Sequence, residues 1–301
     1  MSAMRDRFMR VTGALLDERP DLAVVLADIG YGYFQDAGVV ARHPRRVLNV
    51  GIREQLLVGF AAGLAMEGIR PIVHSYAPFL VERPFEQVKL GFGHQGLGAV
   101  FVSVGASYDA AAAGRTHQAP EDVALMSTLP GWHVHVPGHP DEVEAILRSA
   151  AGGRRLDYIR LAESVNPEAV PYSSSLTPIR RGSARGVTVI AAGPSLAPVL
   201  EATADLDATV LYASTVRPFD ADGLRRLLGA PEVVLVEPYL AGTSSAEISA
   251  ALADSPHRLL ALGVARREHR HYGSRQEHDR AHGLDAAGIR RSVTDFLALA
   301  A

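Results

Sequence analysis

In Asn49-Val50-Gly51-Ile52-Arg53-Glu54-Gln55 the chain changes period. Residues 47–50 form a short β-branched run, and residues 52–66 carry the spacing of a helix. Gly51 supplies the turn between them. Glu54 then falls in the first helical turn, where a carboxylate complements the positive end of the helix dipole. Strand, glycine turn and helix in that order predict one βα unit of a sheet. The same unit recurs on either side. Residues 23–28, 71–75, 99–105, 133–137 and 158–161 are short apolar runs, and 5–18, 84–94, 120–129 and 140–150 are helix-like. Apolar runs without alternation, separated by helices, predict a mostly parallel sheet covered by helices on both faces.

The rhythm breaks over 163–186, which holds Pro167, Pro171, Pro178 and a serine run. It then resumes, with strand-like runs at 187–191, 208–213, 232–236 and 258–262 and helix-like ones at 196–206, 220–228, 244–252 and 285–299. The expected organisation is an α/β fold of two domains: a first domain over 1–170, a linker over 171–186 and a second domain over 187–301,.

Composition narrows the function classes. The 301 residues are 48% hydrophobic and 21% charged, with a net charge of -3, which argues against a dedicated nucleic-acid partner,. The chain has no cysteine, so disulfides, thiolate metal sites and cysteine nucleophiles are excluded,. Residues 1–10 lack the apolar segment of a signal peptide, and no apolar run reaches membrane-spanning length,. The expectation is a cytoplasmic protein without a membrane partner. No G-x-x-x-x-G-K-[ST] loop, G-x-S-x-G elbow or H-E-x-x-H pair is present, and no G-x-G-x-x-G turn stands behind the first strand,.

Four features carry chemistry, each with a plainer alternative. Glu54 lies at the carboxyl end of a predicted parallel strand, where open α/β sheets place ligands; helix-dipole complementation is the alternative. His117, between Thr116 and Gln118, sits on a loop after the 99–105 run, either at a cleft or simply at the surface,. Tyr76 and Phe79 follow another strand end and would stack on a flat ring ligand or pack into the core. The stretch 266–282 is rich in charge and in histidine, including His269, His271 and His278, but its spacing matches no ligand set,. It reads as a solvated surface loop, and no metal site is expected.

Taken in order, these motifs make the whole chain resemble the C-terminal half of transketolases, the pyrimidine-binding and C-terminal domains of a thiamine-diphosphate enzyme. The resemblance rests on Gly51-Ile52-Arg53-Glu54-Gln55, on Tyr76 to Phe79, on Thr116-His117-Gln118 and on the prolines Pro130 and Pro137. In the second domain it rests on Arg217-Pro218-Phe219-Asp220, Val236-Glu237-Pro238 and Gly283-Leu284-Asp285. The chain is also similar to the matching half of 1-deoxyxylulose-5-phosphate synthase and, more distantly, to beta subunits of 2-oxo-acid dehydrogenases. The Gly-Asp-Gly…Asn signature of the family's diphosphate-binding domain is absent. The resemblance therefore implies one subunit of a split enzyme. Its partner, a diphosphate-binding subunit, would hold the diphosphate and most of the Mg2+ or Ca2+ coordination, in an α2β2 complex that shares thiamine diphosphate.

The resemblance also assigns roles. Glu54 would hydrogen-bond a ring nitrogen of the aminopyrimidine, Phe79 would stack on that ring with Tyr76 beside it, and Asp28 would lie at the cofactor interface. His117 would hydrogen-bond the sugar substrate, and Arg5 and Arg160 would bind its phosphate. Two departures bear on the substrate. Val104-Gly105-Ala106 stands where transketolases usually carry a histidine, and Ala113-Gly114 replaces an Asp-Gly pair. With an unusual loop at 105–109, Tyr108, Asp109 or Arg115 would read a different sugar, which points to a specialised pathway; surface residues are the alternative. The expected activity is transfer of a two-carbon ketol unit from a ketose or its phosphate to an aldehyde. Its rivals are condensation or decarboxylation of a 2-oxo acid, a non-catalytic regulatory subunit of the same fold, and a plain nucleotide-binding module.

Overall fold

The computed structural model describes residues 2–268 and 270–299. Twelve strands are present among them: β1 (Leu22–Leu26), β2 (Val47–Asn49), β3 (Arg70–Tyr76), β4 (Ala99–Val104), β5 (Trp132–His135), β6 (Leu156–Arg160), β7 (Thr177–Arg180), β8 (Val187–Ala192), β9 (Ala208–Ala213), β10 (Thr215–Arg217), β11 (Glu232–Leu240) and β12 (Arg258–Val264). They form a seven-stranded sheet in the order β10-β5-β6-β4-β3-β1-β2 and a five-stranded sheet in the order β12-β11-β8-β9-β7. Six strands of the first sheet run parallel, and β10 alone is antiparallel to its neighbour. The second sheet is parallel except for β7.

The expected α/β class with helices on both faces is what the chain adopts. Of the inner strands, β1 and β4 are buried from end to end and apolar but for Ser103, because both of their faces are covered,. Helices Ala3–Glu18 and Pro140–Gly152 cover one face of the first sheet, packing Phe8, Leu15 and Leu16 with Val143, Ile146 and Leu147. On the other face, Leu57, Val58 and Ala61 of helix Glu54–Met66 share a core with Phe92, Phe101 and Trp132. That core runs on into the second domain through Leu211, Leu235 and Ile248, so the two sheets are joined by buried apolar contact.

Several segments depart from the sequence expectation. Within 163–186, Thr177–Arg180 is a strand at the sheet edge, where Pro178 is tolerated,. β10, from the second half of the chain, pairs with β5 of the first sheet through Thr215↔His135 and Arg217↔Val134. Residues 84–94 are not one helix: π-helical turns at Pro78–Glu82 and Lys89–His94 flank the α-helical turn Phe85–Val88. Nor is 266–282 wholly a loop, since Arg275–His282 is a helix. Ser274 and Glu277 close its start as a reciprocal capping box, a Ser-x-x-Glu signature present in the sequence,. His278 of that helix is buried against Tyr108, and His269 lies outside the described residues.

Candidate active site

The site is assembled at the carboxyl edge of the first sheet. There β1 leads to Asp28, β2 to Glu54, β3 to Tyr76 and Phe79, and β4 to the loop that carries His117. The backbone is tense at this edge. Asp28 has φ 69°, a left-handed conformation that aspartate tolerates better than most side chains, and Ser107 has φ 51°,. Asn49 ties two of the loops together. Its side-chain oxygen accepts from the backbone N–H of Asp28 at 2.9 Å and of Gly51 at 3.0 Å, while its amide donates to the Asp28 carboxylate at 3.0 Å. Gly105, at φ 73°, is where the chain needs glycine: a Cβ there would stand 2.3 Å from Cδ1 of Tyr76.

Glu54, Tyr76, Phe79 and His117 are brought together. Glu54 is only 3% exposed. The His117 ring stands edge-on to Phe79 at 5.1 Å and to Tyr76 at 5.7 Å, with Tyr76 and Phe79 6.1 Å apart. Thr116 Oγ1 lies 2.9 Å from His117 Nδ1 and orients the ring. A residue that the motif search did not single out completes the group. The Arg83 guanidinium donates to Glu54 Oε1 at 2.7 Å and lies over the face of Phe79, 4.3 Å from its centroid. The signal for it was spacing, because Arg83 follows Phe79 by four residues and so shares its side of a helical turn,.

The remaining candidates stand apart from this group. Asp28 is tied through Asn49 to the turn at Gly51. Arg5 stands near His74, whose Nδ1–H donates to the Val102 carbonyl at 2.8 Å. Burial, helped by the Arg5 charge, pushes His74 down to about 3, so its ring is neutral,. Arg160 is 1% exposed and committed to Asp122 at 2.8 Å and to Ser107 Oγ at 2.6 Å. Tyr108 is buried at the domain junction, where it donates to Asp279 at 2.6 Å and stacks on His278. Asp109 pairs there with Arg275. Arg115, half-exposed, holds Glu121 at 2.8 Å and Glu268 at 3.3 Å. Beside the aromatic group, burial and the nearby Glu121 push the Glu82 carboxyl up to about 7. Among the described residues, no cluster of His, Cys, Asp or Glu could hold a metal ion, and no helix is long and apolar enough to cross a membrane.

These side chains fit a flat, nitrogen-bearing ring. A buried carboxyl group is available to a ring nitrogen, and an aromatic face beside it is available for stacking. That the planar, N–H-bearing guanidinium of Arg83 already uses both shows that one flat group can reach them together.

Fold and site define a class: a two-domain α/β chain that presents an acidic and aromatic seat at the strand ends of its first sheet. The chain belongs to the family described as transketolase, pyrimidine binding domain, whose model matches residues 1–167. It is 52% identical over 293 residues to the "uncharacterized 33.6 kDa protein in fasciation locus" of Rhodococcoides fascians, covering 95% of this chain and 92% of that one. It is 31% identical to 1-deoxy-D-xylulose-5-phosphate synthase of Paraburkholderia xenovorans, covering 96% of this chain and 48% of that protein. It thus spans about half the length of the synthases it matches. Among solved structures, a split-gene transketolase described as an inactive beta4 tetramer matches with a TM-score of 0.81 at 27% identity, covering 97% of both chains. A transketolase from Pichia stipitis shares the fold, with a TM-score of 0.80 at 16% identity over 98% of this chain and 46% of that one.

Proposed function

We propose that this chain is the β-type subunit of a split, thiamine-diphosphate-dependent transketolase. It would move a two-carbon ketol unit from a ketose or ketose phosphate to an aldehyde acceptor. The observation that carries the reading is the buried Glu54 carboxylate, bridged by one guanidinium to the face of Phe79 beside the His117 ring. When bound, thiamine diphosphate supplies the carbanion chemistry. Glu54 would hold the ring nitrogen of the aminopyrimidine, Phe79 and Tyr76 would stack on it, and His117 would hydrogen-bond the donor sugar's hydroxyl. The diphosphate and its divalent cation fall to the partner.

An apolar stripe supports a partner at this edge. Ile52, Leu56 and Phe60, on the turn and helix that carry Glu54, are 70%, 46% and 39% exposed, and Leu90 nearby is 45% exposed. A contiguous apolar surface rimmed by polar groups is the usual mark of an interface.

The test is reconstitution with that partner, thiamine diphosphate and Mg2+. Ketol transfer should appear only in the complex, and Glu54→Gln should lower turnover by about 100-fold or more while the complex still forms. Unchanged turnover in Glu54→Gln would make this chain a regulatory subunit. The likeness to 1-deoxy-D-xylulose-5-phosphate synthases favours a second reading, in which the donor is a 2-oxo acid. A donor panel separates the two, since turnover with pyruvate and none with ketoses would select the second.

A further inference from the structure

We infer that Arg83 is a resident occupant of the aminopyrimidine seat, a side chain that must leave before the ring enters and that thereby sets how tightly the ring is held. This rests on the proposed function, because it takes Glu54 and Phe79 as the two surfaces that grip the ring.

The argument is one of chemical mimicry. A guanidinium is planar, presents N–H groups in its plane and stacks on aromatic faces. Arg83 uses each property here, donating to Glu54 Oε1 at 2.7 Å and lying 4.3 Å from the Phe79 centroid. An aminopyrimidine is also planar and nitrogen-bearing, and in this reading it hydrogen-bonds the same carboxyl group and stacks on the same ring. The two therefore compete for one place. Charge explains why the place is filled. Glu54 is 3% exposed, and a carboxylate that far from water needs a counter-charge,. Arg83 can also leave readily. Its side chain is 43% exposed, and it projects from the end of the π-helical turn Pro78–Glu82. A pair with one partner in solvent is weakly held. The other hydrogen bonds of Arg83 run through its backbone, whose N–H donates to the Pro78 carbonyl at 3.1 Å and whose carbonyl accepts from the Gln55 amide at 3.5 Å, and neither would hold the side chain in place.

The occupied fraction reduces apparent affinity in the same proportion, so removing the occupant raises it. The probe is hydroxymethylaminopyrimidine, the neutral ring fragment of thiamine, titrated by NMR against the full chain. An ion pair and a cation–π contact of ordinary strength together predict binding about tenfold tighter in Arg83→Ala than in wild type. Arg83→Lys keeps the charge but loses the planar stack and should fall between them. Thermal melts identify a variant that fails to fold, in which case Arg83→Gln takes the place of Arg83→Ala. Equal or weaker binding in the folded Arg83 variants would overturn the inference. Glu54→Gln and Phe79→Ala decide the reading beneath it. If both weaken the probe while Arg83→Ala does not tighten it, the seat stands and the occupant falls. If neither weakens it, the seat falls as well.

Discussion

The two ends of the first sheet carry similar side chains and treat them differently. At the amino end, Arg70 at the start of β3 lies 3.0 Å from Asp157 on β6, with His135 of β5 at 3.2 Å and Arg155 at 3.3 Å from the same carboxylate. Asp157 is fully buried and Arg70 nearly so. Burial alone would raise the Asp157 carboxyl, yet the His135 hydrogen bond and the Arg155 and Arg70 charges hold it below the ordinary carboxylate range. At the carboxyl end, Glu54 is as deeply set but its cation is half in solvent, and Glu82 nearby has like charges for company. At one end two of the carboxylate's three partners, Arg70 and His135, are buried and Arg155 alone is half in solvent; at the other the carboxylate has a single, detachable partner. The difference teaches that burial of a charge does not by itself mark a site. What marks it is a buried charge whose neutralisation is provisional.

The contrast can be broken or sharpened by substitution. Arg70→Ala should have the largest effect, about 3–5 kcal/mol lost in urea or thermal unfolding, because it takes a buried cation from Asp157 and the donors from the Ala150 and Arg155 carbonyls,. A loss below about 1 kcal/mol would mean the amino end is as loosely held as the other. Gly105→Ala should cost about 1–3 kcal/mol, since it combines a left-handed backbone with a clash against Tyr76,. Its near-ultraviolet circular dichroism should change as Tyr76 is displaced. An unaltered spectrum would show that the aromatic group does not depend on that turn.

The smallest effect concerns pH, and its sign differs between the ends. Asp157 has a lowered value, so its contribution holds above the ordinary carboxylate range and is lost as the solution is acidified through its folded value,. Glu82 has a value raised to about 7, so the fold binds its proton more tightly than the unfolded chain does. Stability should therefore decline as pH rises from about 4.5 through 7,. Glu82→Gln should remove about 1–2 kcal/mol of that decline, read as a flatter curve of Tm against pH. An equal slope in both proteins would show that Glu82 is not the source.

Much of this architecture was legible because parallel strands buried on both faces are predominantly apolar, and β4 and β8 are, with Ser103 and Thr188 as their single polar residues,. β10 was not, since Thr215-Val216-Arg217 is too short to show a period and follows β9 after one residue. The π-helical turns were hidden because their apolar spacing reads as ordinary helix. At the site, Glu54, Tyr76, Phe79 and His117 could be picked out because each follows a strand end, where topology alone makes a side chain accessible. The fate of Arg160 could not be. Its partner Asp122 is 38 residues away, and no local pattern announces a long-range ion pair. Arg83 escaped notice for the opposite reason, being an unremarkable cation inside a helical stretch whose importance lies in what it covers.

β10 has a last consequence. Three residues from beyond the proline-rich stretch finish the first sheet by lying along β5. A polypeptide cut at residue 186 would leave that border raw, its amides and carbonyls free to recruit a neighbouring molecule,. The two halves are thus sewn rather than strung, and any reshuffling of the coding sequence that parted them there would yield a fragment prone to aggregate.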